Sequence, residues 1–156
     1  MAIRGNKEAA RAIRELAKYV TVPIGASSRF ALQPTLKQAR SNVTELGLKD
    51  STGALRASLT IKPKRRTSKV NPTYQVGPNA AYQRGERRPV KYAHLIELGT
   101  APHYQPERGV THPGSPAQPF LEPAYLATRD QVVDRFGKKI GPEIEKRATK
   151  LAAKGK

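Results

Sequence analysis

Five prolines fall within eighteen residues, Pro102, Pro106, Pro113, Pro116 and Pro119, and they divide the chain more sharply than any other feature. Each removes a backbone donor and locks one torsion, so the stretch over 101–119 is expected to hold no regular structure until Phe120. Its large apolar groups are only Tyr104 and Val110, too few to offset the entropy of ordering. The loop is therefore expected to be disordered alone and ordered by a partner. Just before it stands a compact apolar segment, "YAHLIELGT" over 92–100, with one acid and one histidine. That segment is either the floor of a metal or acid/base site, or a hinge that launches an interaction loop.

Patterns on either side place the remaining elements. From Asn6, a plausible N-cap, Ala9, Ile13, Leu16 and Val20 recur at three- and four-residue spacing and predict an amphipathic helix. Pro23 and Gly25 should interrupt it, and Ser27 or Ser28 should cap a second helix carrying Phe30, Leu32, Leu36, Ala39, Val43 and Leu46. Pro34 should kink that helix or mark its first turn, and Gly47 should end it. Leu55, Ala57, Leu59 and Ile61 then alternate with polar residues, which predicts a strand with one buried face. "TYQVGP" offers a second strand, and "PKRRTSKVNP" between them reads as a long basic hairpin arm. Tyr92, Leu95, Ile96 and Leu98 suit a helical turn running into a strand. Beyond Phe120, Tyr125, Leu126, Val132, Val133, Phe136 and Ile140 form the apolar stripe of a C-terminal helix that Gly141-Pro142 should bend or divide.

A chain of 156 residues is long enough for one core and is expected to form a single domain over 1–156. Its parts are helical to residue 50, sheet, arm and loop over 51–128, and the C-terminal helix over 129–156. Cysteine is absent, which excludes disulfides, thiolate metal sites and a cysteine nucleophile. Charges interrupt every apolar run well before the roughly 18 residues of a membrane span, and the N-terminus lacks the apolar centre of a signal peptide. A soluble, unprocessed protein with no membrane partner is expected. The net charge of +17 is unevenly spread. Residues 51–91 carry ten bases and one acid, whereas 92–128 carry one base and three acids. A partner of opposite sign follows, nucleic acid or an acidic protein neighbour. Lys64, Arg65, Arg66, Lys69, Arg84, Arg87 and Arg88 are the candidate contacts to DNA or to that acidic partner, with guanidinium forks suited to phosphate oxygens. Only Tyr74 and Tyr82 accompany them, so a stacking platform for single strands is thin, and no motif for reading bases is present.

Catalytic constellations find little support. His94 and Glu97 would share a helix face, and His103, Glu107 and His112 could join them, but H-E-x-x-H is missing and most of these ligands lie in the loop. Ser115 lies close to His112 without G-x-S-x-G around it. Glu143 and Glu145, two apart, face different sides of a helix and are expected to pair with Lys146, Arg147 or Lys150. No catalytic residue, metal or cofactor is assigned. A metal-dependent hydrolase is the most distant reading, behind a sequence-nonspecific nucleic-acid-binding protein.

Four segments in order, "DSTGALRASL", "YQVGP", "YAHLIELGT" and "PAQPFLEPAY", resemble a family of tail-completion and neck proteins of long-tailed bacteriophages, the head–tail joining proteins related to the Z-type minor tail protein. The resemblance runs from Ser51 to Tyr125. It implies an α+β protein: a small antiparallel sheet packed by an N-terminal helix pair and a long C-terminal helix, with a long basic hairpin arm and a Pro-rich loop. It further implies a non-catalytic ring, a hexamer, seated in the virion neck between portal and tail tube and assembled in the bacterial cytoplasm. Its partners would be itself, the neighbouring head-completion (connector) and tail-tube proteins, and packaged DNA. On this view Thr52 and Gly53 turn the second helix into the first strand, whose Leu55 faces inward. Tyr92, Ile96 and Leu98 seal the sheet, Gly99 and Thr100 let the chain leave sharply, and Phe120 and Leu121 return it to the core. Glu97 becomes an anchor, capping backbone amides or pairing with an arginine across the core or a subunit boundary.

Overall fold

The computed structural model describes residues 23–47, 53–64 and 73–154. The helix expected from Asn6 to Val20, together with Thr52, Arg65, Arg66 and Lys69, lies outside the described residues. The fold is α+β, with two small antiparallel sheets and a long C-terminal helix. Its elements are α1 over 23–31, α2 Gln33–Glu45, α3 Ala54–Ser58, β1 Leu59–Pro63, β2 Tyr74–Pro78, a 3-10 turn Pro89–Lys91, α4 Ala93–Leu98, β3 His103–Gln105, β4 Val110–His112 and α5 Leu121–Lys154. The chain divides into two compact units, one formed by 1–32, 62–75 and 130–156, the other by 33–61 and 76–129.

The second unit holds the larger core. Thr35, Leu36, Ala39 and Val43 share one face of α2 and are buried. They meet Leu55 of α3, Leu59 of β1, Ala93 of α4, and Phe120 and Ala124 at the start of α5, with Ile61, Val76, Tyr92, Ile96 and Leu121 packed around them. Polar groups close the same interface. The Thr128 hydroxyl donates to the Ala124 carbonyl at 2.7 Å, so Thr35 supplies the proton of the 2.6 Å Thr35–Thr128 bond. Asn42 Nδ2 donates to the Phe120 carbonyl at 3.0 Å, binding α2 to the entry of α5.

Pro34 stands in the first turn of α2, where its missing N–H costs nothing, and Gly47 with φ 54° follows the helix end. Pro23 is the first described residue of α1, so the expected break before it lies outside the described residues; Gly25, Ser27 and Ser28 are within α1, and the cap expected at Ser27 or Ser28 is corrected because both are helical. Gly25 is small because Tyr74 crosses the helix there, and a Cβ at this position would stand 2.6 Å from the Tyr74 hydroxyl. In the same unit Arg29 lies 5.4 Å from the Tyr74 ring centre, and Arg135 covers Phe30 at 4.1 Å.

The strand expected from Leu55 begins only at Leu59. Gly53 adopts a left-handed conformation, φ 63°, and leads into α3 rather than directly into a strand. Leu55, Ser58 and Leu59 are all buried, a three- and four-residue spacing that a short apolar alternation disguises. Ser58 Oγ donates back to the Leu55 carbonyl at 2.7 Å as the helix ends. β1 pairs with β2, and beyond the strands Lys64 N donates to the Thr73 carbonyl at 2.8 Å, at the base of the connection that contains the basic arm.

The Pro-rich stretch also departs from expectation, because β3 and β4 form an antiparallel hairpin pairing His103 with His112, Tyr104 with Thr111 and Gln105 with Val110. Prolines do not interrupt it because they fall at its margins: Pro102 precedes β3, Pro113 follows β4, and Pro106 opens the turn. There Arg108 N donates to Gln105 O at 3.1 Å and Gly109 takes φ 63°. In α5 the helix continues through Pro142 and is not divided. Its buried positions near the start are Phe120, Ala124 and Thr128, whereas Tyr125, Leu126 and Val133 from the expected stripe are exposed, Val133 to 72%. Glu143 pairs backward, with Lys139 at 3.6 Å, not with the bases that follow it.

Candidate functional site

The corner between α4 and α5 gathers most of the residues singled out in "YAHLIELGT". Pro89 opens the 3-10 turn, Tyr92 N donates to Pro89 O at 3.1 Å, and the chain tightens into α4. Ala93 and Ile96 turn inward, so the neighbouring Leu98 faces out and is 76% exposed. Leu98 therefore does not seal the sheet, and the segment is helical up to Gly99 rather than running into a long strand. Gly99 leaves the helix at φ 72°, and a Cβ there would stand 2.7 Å from both the Ala117 amide nitrogen and the Ser115 carbonyl oxygen. No other residue type fits this exit without displacing backbone.

Thr100 then bonds Ser115 twice, N to O at 2.9 Å and O from N at 3.1 Å, closing the neck of the hairpin. Gly114, at φ 83°, presses against the Thr100 carbonyl so closely that a Cβ would collide with it. Gln118 N donates to Ile96 O at 2.8 Å and satisfies one carbonyl at the end of α4. Phe120, fully buried, returns the chain to the core, and Leu121 begins α5.

At that point the Glu97 carboxylate receives the amides of the new helix. Phe120 N donates to Oε2 at 2.9 Å, Leu121 N to Oε1 at 3.1 Å and Oε2 at 3.0 Å, and Glu122 N to Oε1 at 2.9 Å. Three N–H groups that a helix start leaves without intrahelical partners are thus satisfied by an acid 23 to 25 residues earlier in the chain. Negative charge at the positive end of the helix dipole adds to the bonds. Both carboxylate oxygens are engaged, which leaves Glu97 poorly placed to act as a base or metal ligand. Of the two anchoring roles expected for Glu97, the capping of backbone amides is the one seen among the described residues.

The histidines serve the hairpin. His103 and His112 stack with ring centres 5.2 Å apart, Gly114 N donates to His112 Nδ1 at 3.0 Å, and His103 Nδ1 lies 3.1 Å from Ala101 O. His94 is exposed on the outer side of α4. Among the described residues no three His, Asp or Glu side chains gather as a metal site. Of the basic candidates, Lys64 is exposed beside β1, and Arg84 and Arg87 face each other across a tight turn with Gly85 at φ 60°. Arg88 Nε donates to Gln83 at 2.9 Å. Sequence reasoning took Gly114 only as a loosening residue of the loop and overlooked Gln118; the Pro113-Gly114 dipeptide was the available signal for the tight approach, since Pro-Gly marks a turn.

Residues 4–99 match the HK97-gp10-like family model, described as "Bacteriophage HK97-gp10, putative tail-component". The chain belongs to this family. It is a phage tail component with a structural role in the virion. No curated protein and no solved structure matches the chain. The HK97-gp10-like match ends at Gly99, so it includes Glu97 and α4, while the hairpin and α5 lie beyond it. Among the described residues no helix is long and apolar enough to cross a membrane.

Proposed function

We propose that the chain is a non-catalytic ring protein of the phage neck that completes the tail and joins it to the head. Its expected assembly is a hexamer, in contact with the head-completion (connector) protein on one side and the tail-tube protein on the other. Family membership supports the tail role, and the carboxylate of Glu97 carries the case against an enzyme. The one acid in the most distinctive motif is committed to three backbone amides. Residues Gly53, Leu55, Tyr92, Gly99, Thr100, Phe120 and Leu121 serve the same end: they hold a corner from which the exposed hairpin reaches a neighbour. Heterologous contacts of this kind close into a ring when the rotation between neighbours closes.

The test is assembly without the protein. In infections lacking it, electron microscopy should find filled heads and separate tails, and the purified chain added to such extracts should yield joined particles. Joined, infectious particles formed in its absence would defeat the reading. A second reading, nonspecific DNA binding, draws on the charge of +17 and on Arg84, Arg87 and Arg88 within one exposed turn. Inside a neck these bases would face packaged DNA, so the two readings are compatible.

A further inference from the structure

A groove of about 430 Å³ runs along α2 beside α3, away from the Glu97 corner. Leu36, Lys37, Arg40, Thr44, Glu45 and Arg56 line it, so three cations share a short surface with one acid. Lys37 and Arg56 are exposed, and among the described residues neither side chain makes a hydrogen bond or an ion pair. Arg40 is half-buried: its Nη2 donates to the Leu59 carbonyl at 2.7 Å, while its Nε is enclosed with no hydrogen-bond partner. A guanidinium held in this way has lost water and gained only a neutral carbonyl. An anion docked against its free edge offsets that loss.

We infer that this groove binds an acidic segment of a partner protein, its carboxylates on Lys37, Arg40 and Arg56 and an apolar side chain against the aliphatic stems of Lys37 and Arg56. Two features favour such a segment over a nucleic-acid backbone. Glu45 stands in the lining, its carboxylate already accepting from Ser41 Oγ at 2.8 Å, and would repel a continuous row of phosphates. The aliphatic stems of the exposed Lys37 and Arg56 offer contact that phosphate and sugar do not use. A second copy of the chain is a poor occupant for this groove, because the acid its exposed hairpin could offer, Glu107, is cancelled by Arg108 beside it. The inference is independent of ring formation.

Fluorescence anisotropy tests it, with a short labelled peptide of alternating glutamate and leucine as probe and a short DNA duplex as reference. The wild-type chain should bind the peptide, and Lys37→Gln combined with Arg56→Gln should weaken that binding about tenfold or more. Both positions are solvent-exposed, so circular dichroism should show an unchanged fold; Arg56→Gln alone provides the milder variant. The slope of log affinity for DNA against log salt should stay the same. A wild-type chain that ignores the peptide, or a double variant that binds it as tightly, overturns the proposal. So does a loss of roughly 2 units from the DNA salt slope, which would make the groove a phosphate site.

Discussion

Glu97 shows how one side chain can hold a corner of a fold. It lies on α4 yet does the work of an N-cap for α5, taking four hydrogen bonds from three amides. Replacing it by alanine leaves those donors facing a gap, and we expect a loss of about 2–3 kcal/mol in denaturant-derived stability, with Glu97→Gln costing less because one amide oxygen still accepts. Equal stability of the three proteins would mean that water replaces the carboxylate without loss. Gly99 is the companion constraint. In Gly99→Val the new Cβ meets backbone at 2.7 Å in a left-handed conformation, so the variant should melt at a lower temperature and fail to enter particles. Normal melting and incorporation would show that the exit from α4 adapts.

At the scale of elements, the hairpin is the part whose order is cheapest to disturb. It has two strands of three residues each, with Tyr104 and Val110 exposed, and isolated two-stranded hairpins are marginal in water. Its support comes from the Thr100–Ser115 pair and the stacked histidines at its base, leaving the turn over 106–109 least protected. Trypsin should therefore cut after Arg108 in the free protein, and the same bond should resist cleavage in assembled particles. Equal resistance in both states would place the turn against its own subunit instead of a neighbour. The α5 helix has the opposite character: 34 residues long, it is anchored by Glu97 at its start and carries Pro142 without a break.

For the whole molecule, charge is the dominant property. Bases exceed acids by 17, and the excess lies outside the corner built around Glu97. If the arm and the turn meet DNA, replacing four of Arg65, Arg66, Lys69, Arg87 and Arg88 by glutamine should reduce the slope of log affinity against log salt by roughly 3–4 units. An unchanged slope would assign these residues to protein contacts.

Local pattern was enough to read several elements: α2 from Leu36, Ala39 and Val43, its end at Gly47, strand β2 in "TYQVGP", and the long helix after Phe120. These depend on spacing and on residues with few allowed torsions, which act through neighbours in sequence. The family was legible too, in motifs whose order survives without any knowledge of their contacts. Other features needed the third dimension. Leu55 to Leu59 satisfies alternation and helical spacing at once, and only the core formed by α2, α4 and α5 selects the helix. Prolines that look like breakers become hairpin margins once Thr100 finds Ser115. The outward turn of Leu98, Tyr125 and Val133 is hidden because a stripe in sequence does not say which side will be covered. Glu97 is the clearest case: its type and motif suggest an acid with a task, but its partners are backbone amides more than twenty residues away. Amides carry no side-chain signature, so tertiary structure alone brings donor and acceptor together.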